Sequence, residues 1–138
     1  MTHNILVSDP ISEKGLQSLI HHPDFNVDFK SGLTEKELVD IIPNYQGLIV
    51  RSQTQVTESI INHASNLKVI ARAGVGVDNI DIKSATLNGI LVVNAPDGNT
   101  ISATEHSVAM ILAMARNIPQ AYTSLKNKEW NRKAFKGV

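Results

Sequence analysis

Five short, predominantly apolar runs alternate with segments of helical periodicity through the first two thirds of the chain. The runs are Asn4–Ser8, Phe25–Phe29, Gly47–Val50, Leu67–Ala71 and Ile90–Asn94. Strands and helices that alternate with short connections form a parallel sheet, because consecutive parallel strands need a helical crossover between them. The pattern therefore predicts an α/β fold, with helices on both faces of a five-stranded parallel sheet. The second run alternates with period two, which predicts a strand at the sheet edge.

Capping signals mark the ends of the predicted helices. A Ser, Thr or Asp at the first position accepts a backbone N–H, and a Glu three residues later completes a capping box. Gly89 is expected to end the fourth helix, because glycine adopts the left-handed conformation that closes a helix. The predicted starts are Ser12, the box Thr34–Glu37, about Thr57, Asp81, the box Ser102–Glu105 and Pro119.

The helix predicted from Ser102 to about Arg116 is apolar and small on nearly all sides. A helix without a polar face needs burial on more than one side, and one small sheet covers only one of them. Small residues such as Ala109 and Ala113 would let a second helix approach closely. We therefore expect residues 102–128 to form a two-fold homodimer interface with another copy of the chain.

Composition excludes several classes of partner and site. The 138 residues carry 13 Lys and Arg against 13 Asp and Glu, so no net field favours nucleic acid or an anionic membrane. The basic residues that crowd toward the end are interpreted as a solvated tail. There is no cysteine, which removes disulfides and thiolate metal sites. No signal peptide opens the chain and no run reaches membrane-spanning length, so we expect a cytoplasmic protein without a metal.

The stretch Asn66–Asp81 carries the candidate chemistry. It contains the fourth apolar run and continues through Arg72 into Gly74-Val75-Gly76. Glycines allow a sharp turn and let a ligand reach main-chain N–H groups without a Cβ in the way. Ligands bind at the carboxyl ends of strands in open α/β sheets, where an arginine suits an anion. Arg51, which follows the third run, would lie at the end of the neighbouring strand.

The same stretch nearly matches the dinucleotide-binding pattern G-x-G-x-x-G, with Asp97 near where a ribose-binding acid would follow. Asn79 replaces the third glycine, however, and the next helix is short for a cofactor site. The turn is therefore interpreted as a substrate-anion site and not as a pyrophosphate loop. Two plainer alternatives stay open. The glycines would form an ordinary strand-to-helix turn, or the arginines would only pair with the carboxylates of Asp9, Asp78 or Asp81.

Three motifs, in order, resemble those of the D-isomer-specific 2-hydroxyacid dehydrogenases. They are Leu48–Thr54 (L-I-V-R-S-Q-T), Val69–Asp81 (V-I-A-R-A-G-V-G-V-D-N-I-D) and Asn94–Glu105 (N-A-P-D-G-N-T-I-S-A-T-E). The resemblance implies a flavodoxin-like, doubly wound substrate-binding domain over residues 1–98, with strand order 2-1-3-4-5. Residues 99–138 would be the first helices of a truncated NAD-binding domain, which also build the dimer interface.

The resemblance implies a substrate site, residue by residue. The implied substrate-binding residues are Arg51, Ser52, Arg72, Gly74, Val75, Gly76 and Asn99. The arginine after the third strand, with the serine beside it, would hold the substrate's phosphate or carboxylate, and Arg72 matches a family arginine at the next strand end. The glycine turn would hold the carboxylate through its N–H groups, and Val75 would also approach the nicotinamide of NAD. Asn99 resembles an asparagine that faces the substrate from the domain junction.

The resemblance also implies which parts residues 1–138 lack. The family's G-x-G-x-x-G loop, its ribose-binding aspartate and its catalytic arginine, glutamate and histidine would all lie beyond residue 138. We therefore expect the amino-terminal portion of an NAD-dependent dehydrogenase, inactive alone and weak in NAD binding. No catalytic residue is assigned. His106 is interpreted as a packing histidine in a buried helix, and Glu105 as a capping residue.

Two arginines suit a substrate with both a carboxylate and a phosphate. This favours 3-phospho-D-glycerate, and the resemblance implies its oxidation to 3-phosphohydroxypyruvate in L-serine biosynthesis. Within the family the alternative is another D-2-hydroxyacid dehydrogenase, of the glyoxylate or hydroxypyruvate reductase type. Outside it, a non-catalytic receiver or flavodoxin-type module is disfavoured by Arg51, which stands where a receiver needs an aspartate. A small standalone NAD-binding protein is disfavoured by Asn79.

Overall fold

The computed structural model describes residues 2–138 and contains one five-stranded sheet, all parallel, in the order β2-β1-β3-β4-β5. The predicted α/β fold and strand order 2-1-3-4-5 are therefore confirmed. The strands are β1 (His3–Val7), β2 (Phe25–Phe29), β3 (Gly47–Val50), β4 (Val69–Arg72) and β5 (Leu91–Asn94). The strand β2 lies at an edge of the sheet, as its alternating sequence predicted.

A helix lies between each pair of consecutive strands and provides the crossover that parallel pairing requires. The helices are α1 (Gln17–Ile20), α2 (Glu35–Ile41), α3 (Glu58–His63), α4 (Ile82–Leu87), α5 (Thr100–Ala115) and α6 (Ile118–Lys126), with 3₁₀ turns at Glu13–Leu16, Ile42–Asn44 and Arg132–Ala134. None of the helices between residues 2 and 138 is long and apolar enough to cross a membrane.

The chain divides into two compact units, and the boundary falls between Gly98 and Asn99. The first unit holds the sheet with α1 to α4, and the second unit holds α5 and α6. The assignment of these units to a substrate-binding domain and to the start of an NAD-binding domain stays a prediction.

One face of the sheet forms the core of the first unit. The strand registers align Leu6, Leu48, Ile70 and Val92 across β1, β3, β4 and β5. The first three of these side chains have no solvent exposure and belong to one hydrophobic cluster with residues of α2, α3 and α4. The periodicity of the apolar residues thus produces a face that is buried at β1, β3 and β4 and partly buried at β5, as expected for a parallel sheet.

The opposite face is covered unevenly. Its aligned row is Val7, Ile49, Ala71 and Val93, and exposure rises from 1% at Val7 to 41% at Val93. Leu91, which shares this face, is 63% exposed. Because both faces of a parallel sheet are normally buried, the β5 end is unusual in presenting apolar side chains to solvent.

Most of the predicted helix ends are confirmed. The capping box at Thr34 is formed with both of its hydrogen bonds, and the side chains of Thr57 and Asp81 each accept an N–H at the start of their helices. Gly89 follows α4 with φ of +67°, the left-handed conformation that closes a helix. Ser12 is an exception, because its hydroxyl makes no capping hydrogen bond to the 3₁₀ turn that follows it.

The predicted capping box Ser102–Glu105 is wrong. The helix α5 begins two residues earlier, at Thr100, with Asn99 as its N-cap. A serine that already has helical dihedral angles does not reach the N–H groups of the next turn. The Ser102 hydroxyl instead donates to the Asn99 carbonyl oxygen at 3.0 Å. Glu105 therefore lies in the helix as an ordinary residue and not as a cap.

Acid is expected to weaken α2 through Glu37. The Thr34 backbone N–H donates to Glu37 Oε2 at 2.8 Å and the Thr34 hydroxyl at 2.7 Å, and these hydrogen bonds lower the pKa of Glu37. A carboxylate whose pKa falls on folding stabilises the protein above its unfolded pKa, and this stability is lost as the pH falls through the folded pKa. In urea unfolding at a series of pH values, Glu37→Gln should reduce the loss of unfolding free energy in acid. Glu58→Gln in α3 serves as the control and should not.

Candidate functional site

The carboxyl ends of four parallel strands meet at one edge of the sheet. The pairing registers align Val50 of β3 with Arg72 of β4, and Arg72 with Asn94 of β5. The segment after β1 begins with Ser8 and Asp9, beside the segment that follows β3. Polar residues from widely separated parts of the first unit are thereby brought together, where open α/β sheets bind ligands.

A buried carboxylate organises the segment after β3. Asp9 is 3% exposed, and it accepts the backbone N–H groups of Arg51 at 2.6 Å, Gln53 at 3.1 Å and Thr54 at 3.0 Å. Oδ2 accepts the first two of these groups, and Oδ1 accepts the Thr54 N–H together with the Thr54 hydroxyl at 2.5 Å. Residues 51–54, called here the Arg51 loop, therefore wrap around Asp9.

The carbonyl groups of the Arg51 loop are held from the other side. Asn79 is buried, and its Nδ2 donates to the carbonyl oxygens of Arg51 at 3.2 Å and Thr54 at 2.7 Å. Arg72 Nε donates to the same Arg51 carbonyl at 3.0 Å. Asn79 stands where the dinucleotide-binding pattern has its third glycine, and its side chain stabilises the Arg51 loop.

The arginines do not pair with the nearby acids. Among residues 2–138, neither Arg51 nor Arg72 forms an ion pair with a carboxylate. Asp9 binds the main chain of the Arg51 loop, and Asp81 caps α4 by accepting the Ser84 N–H at 2.9 Å. The Arg51 guanidinium, exposed and without a hydrogen-bond partner in the described part of the chain, is thus available to an anion.

The glycines of the turn are required for space and not for their dihedral angles. Neither Gly74 nor Gly76 has a positive φ. A Cβ atom on Gly74 would lie 2.5 Å from an Arg72 guanidinium nitrogen, and one on Gly76 would lie 2.8 Å from Asp78 Oδ1. The lack of a Cβ at these positions therefore makes room for the side chains of Arg72 and Asp78, and the expected approach of a ligand stays a prediction.

The turn Gly74–Gly76, called here the glycine turn, offers two N–H groups and not three. The Gly74 N–H donates to the Arg72 carbonyl at 2.8 Å, and the Gly74 carbonyl accepts from Ala95 at 3.0 Å. Asn94 Nδ2 holds the Val75 carbonyl at 2.6 Å. Within the described residues, the N–H groups of Val75 and Gly76 have no protein acceptor. Both residues are exposed, so these two donors are the ones that a ligand could reach.

The arrangement brings hydrogen-bond donors and positive charge together at the carboxyl ends of the strands. It contains two guanidinium groups, two free N–H groups of the glycine turn, and the exposed Ser52 beside Arg51. Such a set binds a carboxylate or a phosphate. No three His, Asp or Glu side chains between residues 2 and 138 are placed to hold a metal ion together.

Two other predicted residues lie in the second unit. Asn99 is the N-cap residue of α5, and its proposed substrate contact stays a prediction. His106 was interpreted as a packing histidine in a buried helix. It is exposed in the single chain, in which α5 has no buried residue, and its packing against another copy stays a prediction.

Sequence reasoning missed the residues that hold the site from beneath. Asp9 was considered only as a possible ion-pair partner, and Asn79 only as a missing glycine. Thr54 and Asn94 were parts of motifs without a role. The sequence did contain one indication of their role. All four are polar residues at or just after a strand or turn, where a buried backbone group needs a hydrogen-bond partner.

The family model of the D-isomer specific 2-hydroxyacid dehydrogenase catalytic domain matches residues 5–135. A D-3-phosphoglycerate dehydrogenase from Synechocystis sp. is 53% identical over 134 residues, which are 97% of this chain and 24% of the relative. The human D-3-phosphoglycerate dehydrogenase is 44% identical over 134 residues, 97% of this chain and 25% of the relative. The chain therefore spans about a quarter of the length of these relatives, and it matches their amino-terminal portion.

Solved structures show the same fold. A protein from Pyrococcus horikoshii superposes with a TM-score of 0.82 and 27% identity, over 95% of this chain and 39% of that chain. The NAD⁺-bound 3-phosphoglycerate dehydrogenase of Entamoeba histolytica gives a TM-score of 0.73 and 29% identity, over 84% of this chain and 40% of that chain.

Proposed function

Because this chain belongs to the family of D-isomer specific 2-hydroxyacid dehydrogenases, we propose that it is the substrate-binding part of a D-3-phosphoglycerate dehydrogenase. The reaction is the oxidation of 3-phospho-D-glycerate to 3-phosphohydroxypyruvate, with NAD as the hydride acceptor, in L-serine biosynthesis. The names of the relatives support the substrate, and the NAD⁺-bound Entamoeba structure supports the cofactor. A cytoplasmic location belongs to the same proposal.

The observation that carries this proposal is the placement of two arginines at adjacent strand ends. The hydrogen bond from Arg72 Nε to the Arg51 carbonyl brings the second arginine against the loop that bears the first. A substrate with a phosphate at one end and a carboxylate at the other uses both guanidinium groups. A hydroxy acid without the phosphate would leave one of them without a partner.

We assign the two ends of the substrate to different donors. The N–H groups of Val75 and Gly76, with Arg72 beside them, bind the carboxylate, because the guanidinium lies over the glycine turn. Arg51 and Ser52 bind the phosphate. Asn99 is proposed as a further substrate contact. These residues bind and orient the substrate, and the acid–base chemistry is assigned to the part of the enzyme that this chain does not span.

NAD is assigned mainly to that same unspanned part. The glycine turn does not fit a pyrophosphate loop, because the Gly74 N–H is already bonded and the Asn79 side chain fills the place of the third glycine. Val75 is the one residue proposed to approach the nicotinamide. The chain alone is proposed to bind NAD weakly and to catalyse no hydride transfer, which fluorescence titration with NADH would test.

The second unit is proposed to form a homodimer interface over residues 102–128. The helix α5 has no buried residue, and its exposed large apolar side chains are Ile101, Val108, Met110, Ile111, Leu112 and Met114. A helix with this surface is stable in water when another apolar surface covers it. Ala109 is exposed and suits close approach of a partner helix, whereas Ala113 is half-buried within its own chain.

A chimera tests the proposed activity. This chain would replace the matching 134 residues of the Synechocystis relative, and NADH formation would be followed with 3-phospho-D-glycerate, D-glycerate and D-lactate. We expect kcat/KM for 3-phospho-D-glycerate to exceed the values for D-glycerate and D-lactate by about a hundredfold, because these two acids lack the phosphate and its charge-assisted contact. The unmodified relative is the control. Preferential reduction of glyoxylate or hydroxypyruvate by the chimera would instead assign it to that reductase type.

A further inference from the structure

Asp9 is a buried carboxylate that is not among the proposed substrate-binding residues. Its Oδ2 accepts the N–H groups of Arg51 and Gln53, and its Oδ1 accepts the N–H and the hydroxyl of Thr54. A carboxylate accepts four such bonds without offering a donor, whereas an amide has acceptor capacity on one side only. The shape of the Arg51 loop therefore depends on an acid at this position.

The contacts continue from Asp9 to the second arginine. The N–H of Arg51 is held by Asp9 at 2.6 Å, and its carbonyl oxygen accepts from Arg72 Nε at 3.0 Å and from Asn79 Nδ2 at 3.2 Å. Residue 51 is thus fixed at both ends of its main chain. This fixes the direction in which the Arg51 side chain leaves the loop and the carbonyl to which Arg72 binds.

We infer that Asp9 is a positioning residue of the anion site, which acts through the Arg51 loop to hold both guanidinium groups where they bind the substrate. The substrate in this inference rests on the proposed function, whereas the linkage from Asp9 to Arg72 does not. The change in anion affinity expected on removal of the Asp9 charge is opposite to that expected from electrostatics alone. Removal of a negative charge near an anion site should tighten anion binding, and loss of positioning should weaken it.

The test replaces Asp9 by asparagine in the 138-residue chain and reads two signals by nuclear magnetic resonance. The first is the Arg72 Nε–H signal, which its hydrogen bond to the Arg51 carbonyl should shift and protect from exchange without any ligand. The second is the dissociation constant for 3-phosphoglycerate. We expect Asp9→Asn to abolish the protection of Nε–H and to weaken binding about tenfold, the usual scale for a misplaced charged hydrogen bond.

Tyr45→Phe is the matched control for stability. It removes one hydrogen bond of similar length, from the Tyr45 hydroxyl to Asp28 of the edge strand β2 at 2.8 Å, and should leave both signals unchanged. If Asp9→Asn binds as well as the unmodified chain or more tightly, with Nε–H still protected, the positioning role is refuted. If the unmodified chain does not bind 3-phosphoglycerate, the proposed function fails, and the Nε–H signal still decides the inference.

Thr54→Val is a second variant, for use if Asp9→Asn does not fold. It removes one donor to Asp9 and the contact between the Ser8 and Thr54 hydroxyls at 3.0 Å, and it retains the carboxylate with its three backbone hydrogen bonds. A positioning role predicts a smaller change in the same direction, with faster exchange of Nε–H and weaker binding. Unchanged values for both signals would contradict it.

Discussion

Replacement of Arg51 by glutamine is expected to weaken the binding of 3-phosphoglycerate to this chain about a hundredfold, or about 2.7 kcal/mol. The guanidinium forms no hydrogen bond or ion pair with the described residues, so its loss is expected to remove substrate contacts and little else. For the same reason the unfolding free energy should change by less than about 0.5 kcal/mol. Titration calorimetry and urea unfolding of the same preparation measure the two quantities.

Two further variants separate charge from geometry in this experiment. Arg51→Lys keeps the charge and loses the planar, bidentate donor pair, so it should restore only part of the affinity. Arg132→Gln removes the same charge from an exposed residue that is not part of the candidate site and should have little effect. Equal weakening by Arg51→Gln and Arg132→Gln would mean that net charge, and not a site, attracts the ligand.

Replacement of Val108 by glutamate is expected to convert the proposed homodimer into a monomer. Val108 lies at the middle of α5, on one side of the helix with Ile101 and Leu112, and all three are exposed. A carboxylate at the centre of an apolar interface would be desolvated without a partner, which weakens association by several kcal/mol. Because the side chain is exposed in the single chain, the fold of the monomer should be retained.

Ser59→Glu is the matched control for this change. It introduces the same charge at an exposed residue of α3, outside residues 102–128, and should leave the association state unchanged. Sedimentation velocity at micromolar concentration measures the association state of both variants. A monomeric unmodified chain would refute the dimer proposal and would point to another part of a longer protein as the cover of α5.

The sheet could be predicted because its signal is redundant. Five apolar runs and four intervening helices leave few topologies, and each run contributes an independent part of the same pattern. The capping boxes show the limit of local signals. The sequences at Thr34 and at Ser102 both fit the capping-box pattern. Ser102 nevertheless lies inside α5, because the helix already begins at Thr100.

The support of the candidate site could not be predicted, because it depends on contacts between distant residues. Asp9 and Thr54 are 45 positions apart, and Asn79 and Thr54 are 25 apart. No periodicity in the sequence reports such pairs. The exposed donors were easier to identify, because Arg51, Arg72 and the glycines each sit at a strand end within a recognisable motif. The carbonyl groups of the turn are likewise held by distant residues, because Val75 and Gly74 accept from Asn94 and Ala95, about twenty positions along the chain.

The most direct test of the anion site is a titration of the unmodified 138-residue chain with 3-phosphoglycerate, followed by amide nuclear magnetic resonance. We predict saturable shifts at the amides of Ser52, Val75 and Gly76 and at Arg72 Nε–H, with weaker binding of D-lactate, which lacks the phosphate. Saturable shifts confined to the basic segment between Lys126 and Lys136, or no saturable shift at all, would contradict a substrate site at the carboxyl edge of this sheet.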